Sequence, residues 1–313
     1  MLMEQKRMRD GGERGHFGAW RALVGLPAMI ASVLLLMALL GPIGSWQGLV
    51  LLGWFGCGLL TLTRPGERVA VRWACGFRQL SPSDAAALAP VWSRVLGRCA
   101  MSPDRVDLYI QRSNAVNAFA VGGRSVAVTS RVVADYRAGR ITERLLAPIL
   151  CHELGHHATS GARFTPVTLW LALPWRMAYR SVLRVAVRLT QRQPRVQWAA
   201  IVVAGAAIAI VESAQQHAWG STAVLASLAL FSVASPLADA AVRRASERAA
   251  DAYAADVGYG DALADALRAI SRDASHRGHL YRRILDGHPA PSQRIRDLTK
   301  TSTRRVPATD AGS

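Results

Sequence analysis

Apolar positions along the chain follow two kinds of pattern. The first is the unbroken run. Leu23 to Leu40 and Trp46 to Leu62 carry no charge and are about long enough to cross a bilayer. Gly41-Pro42-Ile43-Gly44-Ser45 joins them as a tight turn, which predicts a helical hairpin. A second pair, Trp198 to Val211 and Ala223 to Leu237, is shorter and is separated by the polar stretch Glu212 to Ser221. It predicts a second hairpin, either crossing at a tilt or dipping into one leaflet. The second kind of pattern is periodic. Val106 to Ile110 and Ser125 to Thr129 alternate like short strands, with Gly122-Gly123 as a turn before the latter. Ile141 to Leu150 places Leu145, Leu146, Ile149 and Leu150 at helical spacing after a candidate N-cap, Thr142. Pro148 either bends that helix or marks its true start near Ala147. Ala240 to Ala255 is alanine-rich and predicts a further helix.

Charge sharpens this picture. The chain is 51% hydrophobic yet carries a formal charge of +17, so apolar and basic residues must be segregated. Lys6, Arg7, Arg9, Arg14 and Arg21 precede the first run, and Arg64, Arg68, Arg72 and Arg78 follow the second. The positive-inside rule then keeps both ends of the hairpin, and the segment after it, in the cytoplasm. A second span follows too closely for the first to be a cleaved signal peptide. Arg176, Arg180, Arg184 and Arg188 recur every fourth residue, with Trp170, Trp175, Leu183, Val185 and Val187 as apolar partners. That pattern predicts a basic amphipathic helix on anionic headgroups. No zinc knuckle, helix-turn-helix signature or aromatic-basic interleaving supports nucleic acid as a partner. Cys57, Cys75, Cys99 and Cys151 show neither metal-type spacing nor a demand for disulfides.

The candidate chemistry sits in His152-Glu153-Leu154-Gly155-His156. Positions four apart share a helix face, so His152 and His156 can grip one metal ion. Glu153 is rotated by about 100° from its neighbour, within reach of a water at that metal. Zinc acidifies such a water and the carboxylate takes its proton during attack on a carbonyl. The same rotation disfavours a Cys151–His152 nucleophile pair. A catalytic zinc needs a third protein ligand. Glu247, on the Ala240–Ala255 helix, is the preferred candidate, with Asp251 one turn later placed to accept the outer N–H of a ligand histidine. Glu212 competes, but its position after an apolar run favours a membrane-edge turn.

Four pieces occur in order: Asn117-Ala118-Phe119-Ala120, then HELGH, then Glu247 with Asp251, then His288-Pro289-Ala290-Pro291-Ser292-Gln293-Arg294-Ile295. In this the chain resembles the HtpX-like integral-membrane zinc metallopeptidases, relatives of the CAAX prenyl proteases, over roughly residues 106 to 298. The resemblance implies Glu247 as the ligand completing a one-zinc site, Asp251 as its support, Asn117 as a holder of substrate backbone and His288 as a stabiliser of the tetrahedral oxyanion. It also implies quality control of misfolded or membrane polypeptides. The expected fold is mainly α with a small β-sheet: a membrane-anchored zincin-type metallopeptidase domain with transmembrane helical hairpins, multi-pass in the cell membrane and facing the cytoplasm. Its expected parts are a basic N-terminus (1–18), a transmembrane hairpin (19–63), the first peptidase segment (64–197), the second hairpin (198–238), the segment with the third ligand (239–299) and a disordered tail (300–313). Two competing readings are a catalytically weak membrane sensor or scaffold retaining the fold, and a transport protein with an accidental HELGH.

Overall fold

A computed structural model describes residues 16–159, 165–189, 195–275 and 291–303. It divides into two compact units: Met1–Arg21 with Leu59–Val167 and Ala241–Ser313, and Ala22–Gly58 with Thr168–Ala240. Of the expected N-terminal segment (1–18) and tail (300–313), residues 1–15 and 304–313 lie outside the described residues, while 16–18 and 300–303 are helical.

The second unit is helical. Helix α1 (His16–Leu40) leads through a short 3₁₀ stretch into α2 (Gln47–Leu60). Gly44 breaks the helical path with φ 60° and ψ −129°, a conformation that a side chain disfavours. Past that break the Gln47 amide Nε2 donates to the Met37 carbonyl at 2.7 Å. The helical stretch Ala22–Leu60 is long and apolar enough to cross a membrane, and among the described residues it is the one that meets that test. Its large side chains, such as Leu23, Ile30, Leu39 and Leu52, are exposed. At 14 residues, α2 spans only about 21 Å, less than a hydrocarbon core of about 30 Å. Helices α3 (Arg64–Ala74) and α4 (Pro82–Arg98) follow in the first unit, each opened by a hydroxyl cap from Thr63 and Ser81.

Four strands form the sheet: β1 (Phe77–Arg78), β2 (Asp107–Gln111), β3 (Ala118–Val121) and β4 (Ser125–Thr129), in the order β1-β2-β4-β3. β2 and β4 run parallel, while β3 returns into β4 antiparallel across the Gly122 turn. β4 matches the alternating stretch read from the sequence, and β2 lies one residue later than expected. Every residue of β4 is buried, because the pleat sends alternate side chains into two cores. Val126 and Val128 join the main core, and Ala127 joins Val71, Phe77 and Tyr109 on the other face. Glu67 of α3 reaches into the β3–β4 turn. Its buried carboxylate accepts from the Gly123 and Arg124 N–H groups, each at 3.0 Å, and from Ser125 Oγ at 2.7 Å.

The remaining helices are α5 (Ser130–Arg137), α6 (Glu143–Ala158), α7 (Thr165–Leu171), α8 (Leu173–Leu189), α9 (Arg195–Gln215), α10 (Trp219–Asp256), α11 (Gly260–Ser275) and α12 (Pro291–Thr303). Pro148 lies inside α6, which starts at Glu143, so of the two readings of that proline the late start is excluded. Thr142 occupies the N-cap position without a side-chain capping bond. The stripe Arg176, Arg180 and Arg184 lies on α8, with Arg180 and Arg184 exposed. Near its start the Trp175 N–H donates to Ser32 Oγ at 3.1 Å, and Trp170 Nε1 donates to the Trp54 carbonyl at 3.0 Å. The polar stretch 212–221 is mostly helical: α9 continues to Gln215, and the turn is confined to residues 216–218, with His217 at φ 56°. After it, α10 runs for 38 residues, about 57 Å, without interruption. The main core joins Leu88, Val91 and Val95 of α4 to Leu146, Leu150 and Leu154 of α6 and Leu263 of α11.

Candidate metal centre

The apolar positions of α6 fix which way its HELGH segment faces. Leu146, Leu150 and Leu154 enter the core at spacings of four, which anchors the helix along its length. His152, Glu153 and His156 are buried as well, and the two histidines meet residues of α10. That meeting depends on Gly155. A β-carbon added there would stand 3.0 Å from both Cα and the carbonyl oxygen of Ala250. The two helices therefore touch backbone to backbone at the site. Gly155→Val should push them apart, lower stability by roughly 1–3 kcal/mol and weaken metal uptake. Thermal unfolding and metal titration of this variant, beside the milder Gly155→Ala, check the expectation.

Across that contact, His152 Nε2 lies 3.4 Å from Glu247 Oε2, and His156 Nε2 lies 3.4 Å from Glu247 Oε1. One donor atom from each of the three residues falls within 4.8 Å of the others, a grouping that can hold a metal ion. Glu212 is exposed on α9 and belongs to no such grouping among the described residues, so the geometry favours Glu247 over its competitor. The outer nitrogens of both histidines have partners. His152 Nδ1 lies 2.9 Å from Asp251 Oδ1, and His156 Nδ1 lies 3.3 Å from Ser246 Oγ. Such contacts fix ring orientation, while His152 Nε2, on the side of Glu247, also lies 3.2 Å from Nη2 of Arg294 on α12.

Two members of this centre escaped the reading of the sequence. Ser246 immediately precedes Glu247, and its hydroxyl becomes meaningful only once α10 is laid against α6. Arg294 of α12 stands within the stretch His288–Ile295, but no spacing argument gave it a role. Its guanidinium is buried, with Nε and Nη2 donating to the two Asp251 oxygens at 2.9 and 2.6 Å, and Nη1 3.3 Å from Glu247 Oε2.

Charge accounting tests the fit of a metal. Glu153, Glu247 and Asp251 bring three negative charges into a buried space, and Arg294 returns one positive charge. A dication balances the remaining two, and the two imidazoles with one carboxylate are a donor set that suits zinc. Without metal, burial and Arg294 push the His152 imidazolium down, but Asp251, Glu247 and Glu153 outweigh them and raise its pKa to about 9. Burial likewise opposes ionisation of Asp251, yet the hydrogen bonds from His152 and Arg294 hold its carboxyl below the usual value.

The family of the chain follows from a comparison over this same region. Residues 82–302 match the model of Peptidase family M48. The chain belongs to peptidase family M48. No curated protein matches it. The match encloses every strand of the sheet except β1, together with α4 through α11 and most of α12. It therefore places the His152–His156–Glu247 grouping inside a metal-dependent peptidase domain.

Other residues singled out from the sequence fall elsewhere in this M48 domain. Asn117 stands just before β3, the strand packed against α6. Its side-chain oxygen accepts the Ala118 N–H at 2.9 Å, and it is not part of the metal grouping. His288 lies outside the described residues. Cys151 is fully buried with its sulfur 3.3 Å from that of Cys99. The hydrogen bond with Cys99, followed by burial, raises its pKa, which removes it as a nucleophile. The histidine after the motif, His157, is no ligand either: its Nε2 pairs with the Ser125 carbonyl at 3.2 Å and ties α6 to β4. Burial, then the neighbouring His156, pushes its pKa down to about 4.

Proposed function

We propose that this M48 domain is a membrane-anchored zinc endopeptidase that hydrolyses misfolded or membrane polypeptides on the cytoplasmic side of the cell membrane. The observation that carries the reading is the buried meeting of His152 and His156 with Glu247, with Glu153 beside them and a net charge that a dication balances. The exposed apolar stretch Ala22–Leu60, flanked by arginines, supports the membrane anchor. The cytoplasmic orientation and the quality-control role rest on the charge flanks and on the resemblance described above.

In this reading His152, His156 and Glu247 hold the zinc. The bound ion supplies Lewis acidity, which lowers the pKa of a water and polarises the scissile carbonyl. The rest falls to the chain itself. Glu153 accepts the proton of the attacking water on its carboxylate and returns it to the leaving amine. Asp251 and Ser246 keep the two imidazoles turned with Nε2 inward. Strand β3 is an edge strand beside α6 among the described residues, where an extended peptide could add to the ladder with Asn117 helping to hold its backbone. His288 is assigned to the oxyanion, again by resemblance.

Metal content of purified variants tests the ligand set. Glu247→Ala should weaken zinc binding by roughly 10-fold or more, whereas Glu212→Ala should leave it unchanged. Full zinc occupancy in Glu247→Ala, or its loss in Glu212→Ala, would overturn the assignment.

A further inference from the structure

Helix α3 has an unusual distribution of side chains. Glu67 and Val71 face inward, holding it to the β3–β4 turn and to the Phe77–Tyr109 core. Val69 and Trp73 lie on the opposite pole, one turn apart, at 57% and 87% exposure. A tryptophan so fully presented to water is costly, and its pairing with a second apolar residue one turn away marks a surface awaiting a partner. Arg68 and Arg72, also one turn apart, flank that pole about 100° round the helix. Below them lies a cleft of about 280 Å³ lined by Arg68, Arg72, Gln79, Asp107 and Tyr109.

The charges in and beside this cleft do not cancel. Asp107 receives Arg64 at 3.2 Å and Arg68 at 3.1 Å, while Arg72 makes no ion pair among the described residues. Three arginines against one carboxylate leave two positive charges. The cleft also offers the Gln79 amide and the Tyr109 hydroxyl as hydrogen-bond donors. In sequence, α3 begins four residues after α2 ends, so it emerges directly from the apolar stretch.

We infer that α3 is an interfacial helix that docks on anionic phospholipid. Val69 and Trp73 enter the acyl boundary, and the Arg68–Arg72 cleft takes a phosphodiester headgroup. The inference rests on the membrane reading above, since it needs a bilayer at the end of α2. Bilayer lipid is the fitting occupant because an apolar pole, a basic flank and an adjoining apolar stretch coincide on one short segment.

The experiment uses the full chain reconstituted into phosphatidylcholine vesicles containing a minority of phosphatidylglycerol. Bromine is placed on the acyl chains of one lipid or the other. Fluorescence of the wild type minus that of Trp73→Phe isolates the Trp73 signal. Brominated phosphatidylglycerol should quench it about fivefold more effectively per mole than brominated phosphatidylcholine, since one arginine at an anionic surface enriches such lipid by roughly that factor. Arg72→Gln should remove most of this preference. Equal quenching by the two lipids, or a preference unchanged in Arg72→Gln, would overturn the headgroup site. An unquenched Trp73 beside quenched Trp46 and Trp54 would overturn the docking of α3 while leaving the membrane anchor intact. No quenching of any tryptophan would remove the anchor and the docking together.

Discussion

Replacing Glu153 by glutamine should reduce peptide hydrolysis by about 10²- to 10⁴-fold, the usual contribution of a positioned general base. The site should otherwise survive. Glu153 is not in the His152–His156–Glu247 grouping, and glutamine matches its shape within a tightly packed helix interface. Zinc content should therefore match that of the wild type, while degradation of an unfolded model protein disappears. Assaying both quantities on one detergent-purified preparation separates loss of the base from loss of the metal. Equal cleavage by the variant and the parent would point to a contaminating protease, and equal cleavage that follows the zinc content of the protein would remove Glu153 from the chemistry.

Arg294→Met should have the largest effect on folding, roughly 3–5 kcal/mol, because removing one partner of a buried ion pair strands the other. The guanidinium stands between Asp251 and Glu247, at 2.6 and 3.3 Å, and burial opposes its charge while those two carboxylates sustain it. Without it, two buried carboxylates lose the guanidinium that both contact. The fall in denaturation midpoint should be larger in the metal-free protein than in the zinc-loaded one, because a bound dication compensates part of the stranded charge. An equal fall in both forms would mean that Arg294 acts through packing alone.

The sequence was most legible where chemistry and periodicity coincide. HELGH declares its geometry locally, because ligands four residues apart need no tertiary information to share a face. Glu247 and Asp251 could be chosen for the same reason, as a pair one turn apart on an alanine-rich helix. β4 was readable from its alternation, although its burial on both faces was not, since a two-sided core leaves the same alternating signature as a half-exposed strand. β1, two residues long, left no signal. The contacts that join distant elements were invisible. Arg294 lies 43 residues from Asp251, and nothing in the spacing announces the bond. Gly155 read as part of a motif, yet its role is to let Ala250 approach. The turn at residues 216–218 was overdrawn because polar residues on an exposed helix mimic a loop.

The unbroken course of α10 has an evolutionary corollary. Its first half is the apolar stretch around Leu230 and Leu237, and its second half carries Ser246, Glu247 and Asp251. Glu247 and Asp251 stand one turn apart on that second half, so a residue inserted between them turns Asp251 by about 100° and advances it by about 1.5 Å relative to Glu247. Such an insertion would take from His152 Nδ1 its carboxylate partner while Glu247 kept its place beside the histidines.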